Sequence, residues 1–228
     1  MTTTPVARDP RRHSWGYRLT AASSVLVLAT AGCANPANLL TSTVEGSPTA
    51  AAPGTAADCA GVDYPLVDIP PHTSSAPTMQ IPQPPGWEDR QIDGVGFALS
   101  NPALTADHFS PSALVVLESE PSHWSSSAQS MFDEARFVLT KMGRGVDIQS
   151  ITPTTVCGQP AEISSYTQTE ESVGAPISVK MLMAVASSDS LTYLVALTVA
   201  TTEPDNPTYE RDSQAILDGF VFLPSEPR

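Results

Sequence analysis

Apolar positions in this 228-residue chain fall into regions of very different order. Residues 19–32 form an uncharged run centred on Val25-Leu26-Val27-Leu28. Residues 34–57 follow, and there no apolar residue recurs at the period of a strand or a helix. Organised patterning begins near Met79. Residues 79–81, followed by Pro82, Pro84, Pro85 and Trp87, predict a short edge strand running into an irregular corner. Residues 95–99 and 113–117 are apolar runs of strand length, separated by the turn signals Asn101-Pro102 and Ser110-Pro111.

A helix is predicted over residues 127–142. Met131, Ala135, Val138 and Met142 repeat at helical spacing, with Phe132 and Leu139 beside them. Ser125, Ser126 and Ser127 offer an N-cap, and Lys141 precedes a stop at Gly143. Strands over 146–155, 159–167, 177–186 and 191–201 come next. Their short connections at Cys157-Gly158, 171–174 and 187–190 demand antiparallel neighbours. Asn206-Pro207 opens a second helix with Tyr209, Ala215 and Ile216 turned inward, ending at Gly219. Strands before the first helix, strands between the two helices and a closing helix give an α+β fold: one antiparallel sheet flanked by helices, in a single domain over residues 79–224.

The N-terminal 32 residues carry a different message. A basic stretch holds Arg8, Arg11, Arg12 and Arg18, the apolar run follows, and Ala29-Thr30-Ala31-Gly32 closes it directly before Cys33. This is the layout of an export signal over residues 1–32. About 14 apolar residues make roughly 21 Å of helix, short of a ~30 Å hydrocarbon core, so a permanent span is not expected. Ala31-Gly32-Cys33 resembles the lipobox of bacterial lipoproteins, with Thr30 where Leu is usual, and Cys33 is the predicted lipidation site. A diacylglyceryl group with palmitate-type chains would hold the protein on the outer face of the cell membrane. The alternative is plain secretion with Cys33 incidental. Arg11-Arg12 also raises twin-arginine export, although His13-Ser14-Trp15 continues that motif poorly.

Residues 33–78 then read as a tether rich in Pro, Thr, Ser and Ala. Glu45 is the only charge between 34 and 57. Such a segment cannot repay its ordering entropy, and 24 residues of coil span on the order of 25–30 Å. Its Ser and Thr residues beside prolines suit O-linked sugar.

Charge narrows the function classes. The chain has 11 basic and 24 acidic residues, a net of −13; without residues 1–32, 7 and 23 remain, a net of −16. That surface repels phosphate backbones, so nucleic-acid binding is excluded. Of the three cysteines, Cys59 and Cys157 remain once Cys33 is acylated. They form an even pair in an oxidising compartment, and a disulfide between them is expected. Two free thiols, or one bonded to a partner protein, are the alternatives.

The stretch Ile81-Pro82-Gln83-Pro84-Pro85-Gly86-Trp87, the Gly158-Gln159-Pro160-Ala161 turn, the strand over 191–201 and the closing Ala215-Ile216-Leu217-Asp218-Gly219-Phe220 resemble the LpqN/LpqT family of mycobacterial lipoproteins. The resemblance covers residues 79–223. It implies a fold similar to the PsbP and Mog1 proteins, and an envelope protein without known catalysis, concerned with envelope lipids. One departure is that residues 64–78 are too rich in proline for the short amphipathic helix that family members often carry there.

Candidate chemistry is sparse. His123-Trp124-Ser125-Ser126 could pair a nucleophile with a base, but an N-cap explains the serines. His108, His123, Glu118 and Glu120 come nearest to a metal cluster without matching a ligand spacing; Glu118 and Glu120 would share one face of a strand end. Gly94-Val95-Gly96 lacks the third glycine and the helix of a phosphate loop. Met131, Phe132, Met142, Met181 and Met183 suit either core packing or an apolar pocket. No catalytic residue, metal or cofactor is therefore expected. The reading is a monomeric, lipid-anchored envelope lipoprotein that binds a protein or lipid partner, through a patch near Trp87 and Trp124. The alternative is a carrier of mycolate-type acyl chains with an internal cavity.

Overall fold

Strands 3 to 12 residues long must pair to satisfy their backbone groups, and here they do so in two antiparallel sheets. The computed structural model describes residues 59, 61–71, 73, 75–90, 96–123, 127–143, 145–188 and 190–225; for Met142 only the backbone is described. In chain order the elements are β1 (Leu66–Ile69), β2 (Thr78–Pro82), β3 (Glu88–Arg90), β4 (Phe97–Ser100), β5 (Ser112–Pro121), α1 (Ala128–Met142), β6 (Asp147–Val156), β7 (Gln159–Thr169), β8 (Pro176–Ser187), β9 (Leu191–Thr201), α2 (Pro207–Asp218) and β10 (Val221–Leu223). The large sheet has the order β3-β4-β5-β9-β8-β7-β6, and the small one β1-β2-β10. This is the α+β architecture expected, with a second sheet added.

Sheet order follows from the connections. The β6–β7, β7–β8 and β8–β9 links are short, so these strands form a meander. β9 then pairs with β5 along ten register positions, from Ser112↔Ala200 to Pro121↔Leu191. Between β5 and β6 the chain must cross four strand spacings, roughly 19 Å. The connection that contains the 15-residue α1 makes this crossing over one face of the sheet.

That crossing divides the core in two. On the α2 face, Ala113, Val115, Leu182, Ala184, Val195, Leu197 and Val199 meet β2, α2 and β10 through Ile81, Ile216, Leu217 and Phe222. On the α1 face, Ile177, Val179, Met181, Met183 and Val185 of β8 meet Phe132. Period-2 alternation along β8 thus supplies both cores.

The helix caps match the sequence. Ser127 and Ser130 form a reciprocal capping box, and the Gly143 N–H bonds to the Leu139 carbonyl. Gly143 has φ −71°, so a left-handed turn does not explain it. A methyl group there would lie 2.4 Å from Val146 Cγ2 and 2.5 Å from the Leu139 carbonyl. Asn206 caps α2 by accepting from Thr208 N and Tyr209 N.

Several expectations are corrected. β2 is not an edge strand, since β1 and β10 flank it. Pairing begins ahead of Met79: Leu66–Ile69, inside the segment read as tether, is hydrogen-bonded to β2. Proline at Pro65, Pro70 and Pro71 brackets that strand without interrupting it. β3 and β10, three residues each, are too short to show a period. The inward stripe of α1 is Phe132 with Ala128, Met131, Ala135 and Leu139 packed around it, as the spacing predicts, except that Val138 is half-buried outside that cluster.

The Pro-rich corner also closes differently. Gly86 takes φ 85°, and Trp87 N bonds to the Pro84 carbonyl. The indole turns inward and is 3% exposed. Cys59 and Cys157 are joined in a disulfide. Cys157 and Gly158 both have positive φ, which is the geometry of a two-residue hairpin turn between β6 and β7. The chain before β1 is therefore tied to the hairpin tip. Val62, between the disulfide and β1, lies against Gly219 at the end of α2.

Candidate functional site

α1 is held over one half of its sheet face. Glu162 on β7 is 3% exposed and receives the Arg136 guanidinium from α1, which also reaches Asp133. Removing either partner would strand a buried charge, so the pair fixes where the helix lies. Phe132 and Tyr166 fill the space beside it. Burial pushes the Tyr166 phenol up to about 12. Ser164, between Glu162 and Tyr166 on β7, is fully buried, and its hydroxyl has no hydrogen-bond partner among the described residues.

A helix is about 10 Å across and strands are about 4.8 Å apart, so one helix covers two strands. α1 packs on β7 and β8. The neighbouring pair, β9 and β5, carries Leu114, Val116, Leu194 and Ala196 on the same face, all half-buried. Met131 of α1, also half-buried, packs against the same cluster as Leu194 and Ala196. Phe109 closes the end near Ala200 and Ser112. The result is an apolar strip on the sheet, walled on one side by α1. Along it, Leu114, Val116, Glu118 and Glu120 of β5 face Thr198, Ala196, Leu194 and Thr192 of β9.

The weak acid–base and metal candidates do not come together among the described residues. Glu118 and Glu120 do share one face of β5, at the end of this strip. His108 sits with Asp107 at the tip of a tight turn, where both have positive φ, and it is exposed. His123 is exposed beyond the end of β5. Among the described residues, no three His, Cys, Asp or Glu side chains group to hold a metal ion. Gly96 approaches β5 so closely that a methyl group would fall 2.2 Å from the Val115 carbonyl. Its role there is strand packing. Cys33, Gly94, Val95, Trp124, Ser125 and Ser126 lie outside the described residues.

The apolar pocket candidates are packed. Phe132, Met181 and Met183 are 1–7% exposed within one cluster, with Met131 against its edge. Trp87 forms no surface patch. Its indole N–H donates to Asp212 Oδ2 at 3.0 Å, and Asp212 also accepts two bonds from Arg211 at Oδ1. Hydrogen bonding to Asp212 holds the Arg211 guanidinium above its ordinary range, and Tyr64 adds to this. Burial likewise pushes the Tyr209 phenol up.

Asp212 and Glu162 were each legible as a polar residue at a buried position. Asp212 falls three residues after Tyr209 and four before Ile216, on their stripe. Glu162 alternates with Ser164 and Tyr166. Among the described residues no helix is long and apolar enough to cross a membrane.

No protein-family model matches the chain, and no curated protein matches it in sequence. Solved structures do. The crystal structure of LpqN, involved in cell envelope biogenesis of Mycobacterium tuberculosis, aligns with a TM-score of 0.56 at 12% identity, covering 74% of this chain and 96% of that one. The solution structure of PsbP from Synechocystis sp. PCC 6803 aligns at 0.45 with 14% identity, over 71% and 94%. The Saccharomyces cerevisiae Ran-binding protein Mog1p aligns at 0.40 with 11% identity, over 69% and 95%. The fold is thus LpqN-like.

Proposed function

We propose that this chain is a non-enzymatic binding module, held by a lipid on Cys33 at the outer face of the cell membrane, and that it docks a protein partner on the β5–β9 strip. The half-buried strip carries this reading. It is an apolar face beside α1, bounded by carboxylates, in a domain whose candidate acid–base and metal groups stay apart. The order of basic, apolar and small residues before Cys33 supports the anchor, and the likeness to an envelope protein supports the compartment. The dense packing of Met181 and Met183 favours face binding over an internal acyl-chain cavity.

Two measurements test it. Fractionation of cells making the Cys33→Ala variant should move the protein from membrane to medium; retention in the membrane rejects the anchor. A photo-reactive residue at Val116 should give a discrete protein adduct in intact cells, whereas one at Thr154, on exposed β6, should give none. Equal adducts from both sites, or none from Val116, reject the docking face.

A further inference from the structure

The strip has a chemical direction. Its rows run from Leu114 with Thr198 and Val116 with Ala196 to Glu118 with Leu194 and Glu120 with Thr192. One end is therefore uncharged and the other carries carboxylates, with Glu118 exposed. Glu134 is exposed three residues after Met131, on the same flank of α1, and adds negative charge beside the strip. Of the cations of α1, Arg136 is held by Glu162 and Asp133, and Lys141 lies over the Phe137 ring.

The geometry also sets a shape. A second helix laid beside α1 would cover β9 and β5 as α1 covers β8 and β7. From Leu114 to Glu118 the strand rises about 13 Å, the length of roughly nine helical residues. Resting on the docking reading above, we infer that the strip takes an amphipathic helix of a protein partner, about two to three turns long, with a basic end seated over Glu118. Charge complementarity selects this occupant. A second copy of a chain with net charge −13 would bring like charges together. An anionic lipid headgroup would meet the carboxylates of Glu118 and Glu120 at one end.

The test uses two labelled 14-residue peptides with leucines at helical spacing, one ending in three lysines and the other in three glutamates. In fluorescence anisotropy with the purified chain, the lysine peptide should bind more tightly. Glu118→Lys should weaken it on the order of fivefold and strengthen the glutamate peptide, since an exposed charge pair is worth up to about that factor. Leu194→Asp should abolish binding of both, with circular dichroism confirming that each variant is folded. Equal binding of the two peptides, binding of neither, or no effect of Glu118→Lys overturns the inference. So does flotation of the chain with phosphatidylcholine vesicles that the lysine peptide cannot displace. A Val116 adduct surviving any of these results leaves the docking reading standing, whereas loss of that adduct removes both.

Discussion

The Trp87 indole N–H donates to Asp212 Oδ2 at 3.0 Å, joining residues 125 positions apart. Asp212 is fully buried in α2, and Trp87 closes the Pro-rich corner beneath it. This bond ties the small sheet's approach to the helix that covers the large sheet's α2 face. Replacing Trp87 by Phe keeps most of the apolar bulk and removes only the donor. The expected loss is about 1–3 kcal/mol, because a buried carboxylate oxygen is left without its partner. Asp212→Asn, which keeps an acceptor, should cost less if its amide oxygen takes the indole. Urea denaturation of both variants ranks them, and a Trp87→Phe midpoint equal to the parent's would contradict the role assigned here.

The Arg136–Glu162 pair makes a sharper prediction. Arg136→Met leaves Glu162 buried beneath α1 with no cation, at a cost of about 3–5 kcal/mol. Adding Glu162→Leu removes the stranded charge and should recover most of that loss. A double-mutant cycle by chemical denaturation reads the coupling, and additive losses would show that the pair does not hold the helix.

The disulfide closes a loop across a separation of 98 residues. Preventing it with Cys59→Ala should lower stability by up to about 4.7 kcal/mol, the chain-entropy value for a loop of that length. The effect should vanish when parent and variant are compared under full reduction. Urea midpoints with and without a reducing agent check both halves of the statement.

Stability should fall in strong base. Burial raises the Tyr166 phenol from its ordinary 10 to about 12, so the unfolded chain releases that proton first. The folded state then holds more protons, and its advantage is intact below pH 10 and declines between pH 10 and about 12. Tyr209 shifts in the same direction and steepens the decline. Each buried phenol contributes a slope of up to about 1.4 kcal/mol per pH unit. Tyr166→Phe should flatten the pH dependence of the urea midpoint over this range; an unchanged slope would place the titration elsewhere.

Local order was largely written into the chain. The capping serine before α1, Asn206-Pro207 before α2 and the alternation along β8 and β9 act through neighbours a few residues away, so their patterns predict elements that the structure contains. Short turns decided the antiparallel meander in the same way. Partners for Trp87 and β2 were not legible, since both depend on α2 and β10, more than 120 residues downstream. β1 was hidden by its flanking prolines. The functional strip shows the limit most clearly. Leu114, Val116 and Leu194 alternate as any half-buried strand does, and nothing local distinguishes a face that a helix covers from one left open. That difference comes from the width of one helix against the width of seven strands, and from a buried charge pair that places α1 over β7 and β8. Sequence alone determined the elements and their order; which apolar face remains free was decided only when the strands took their positions in the sheet.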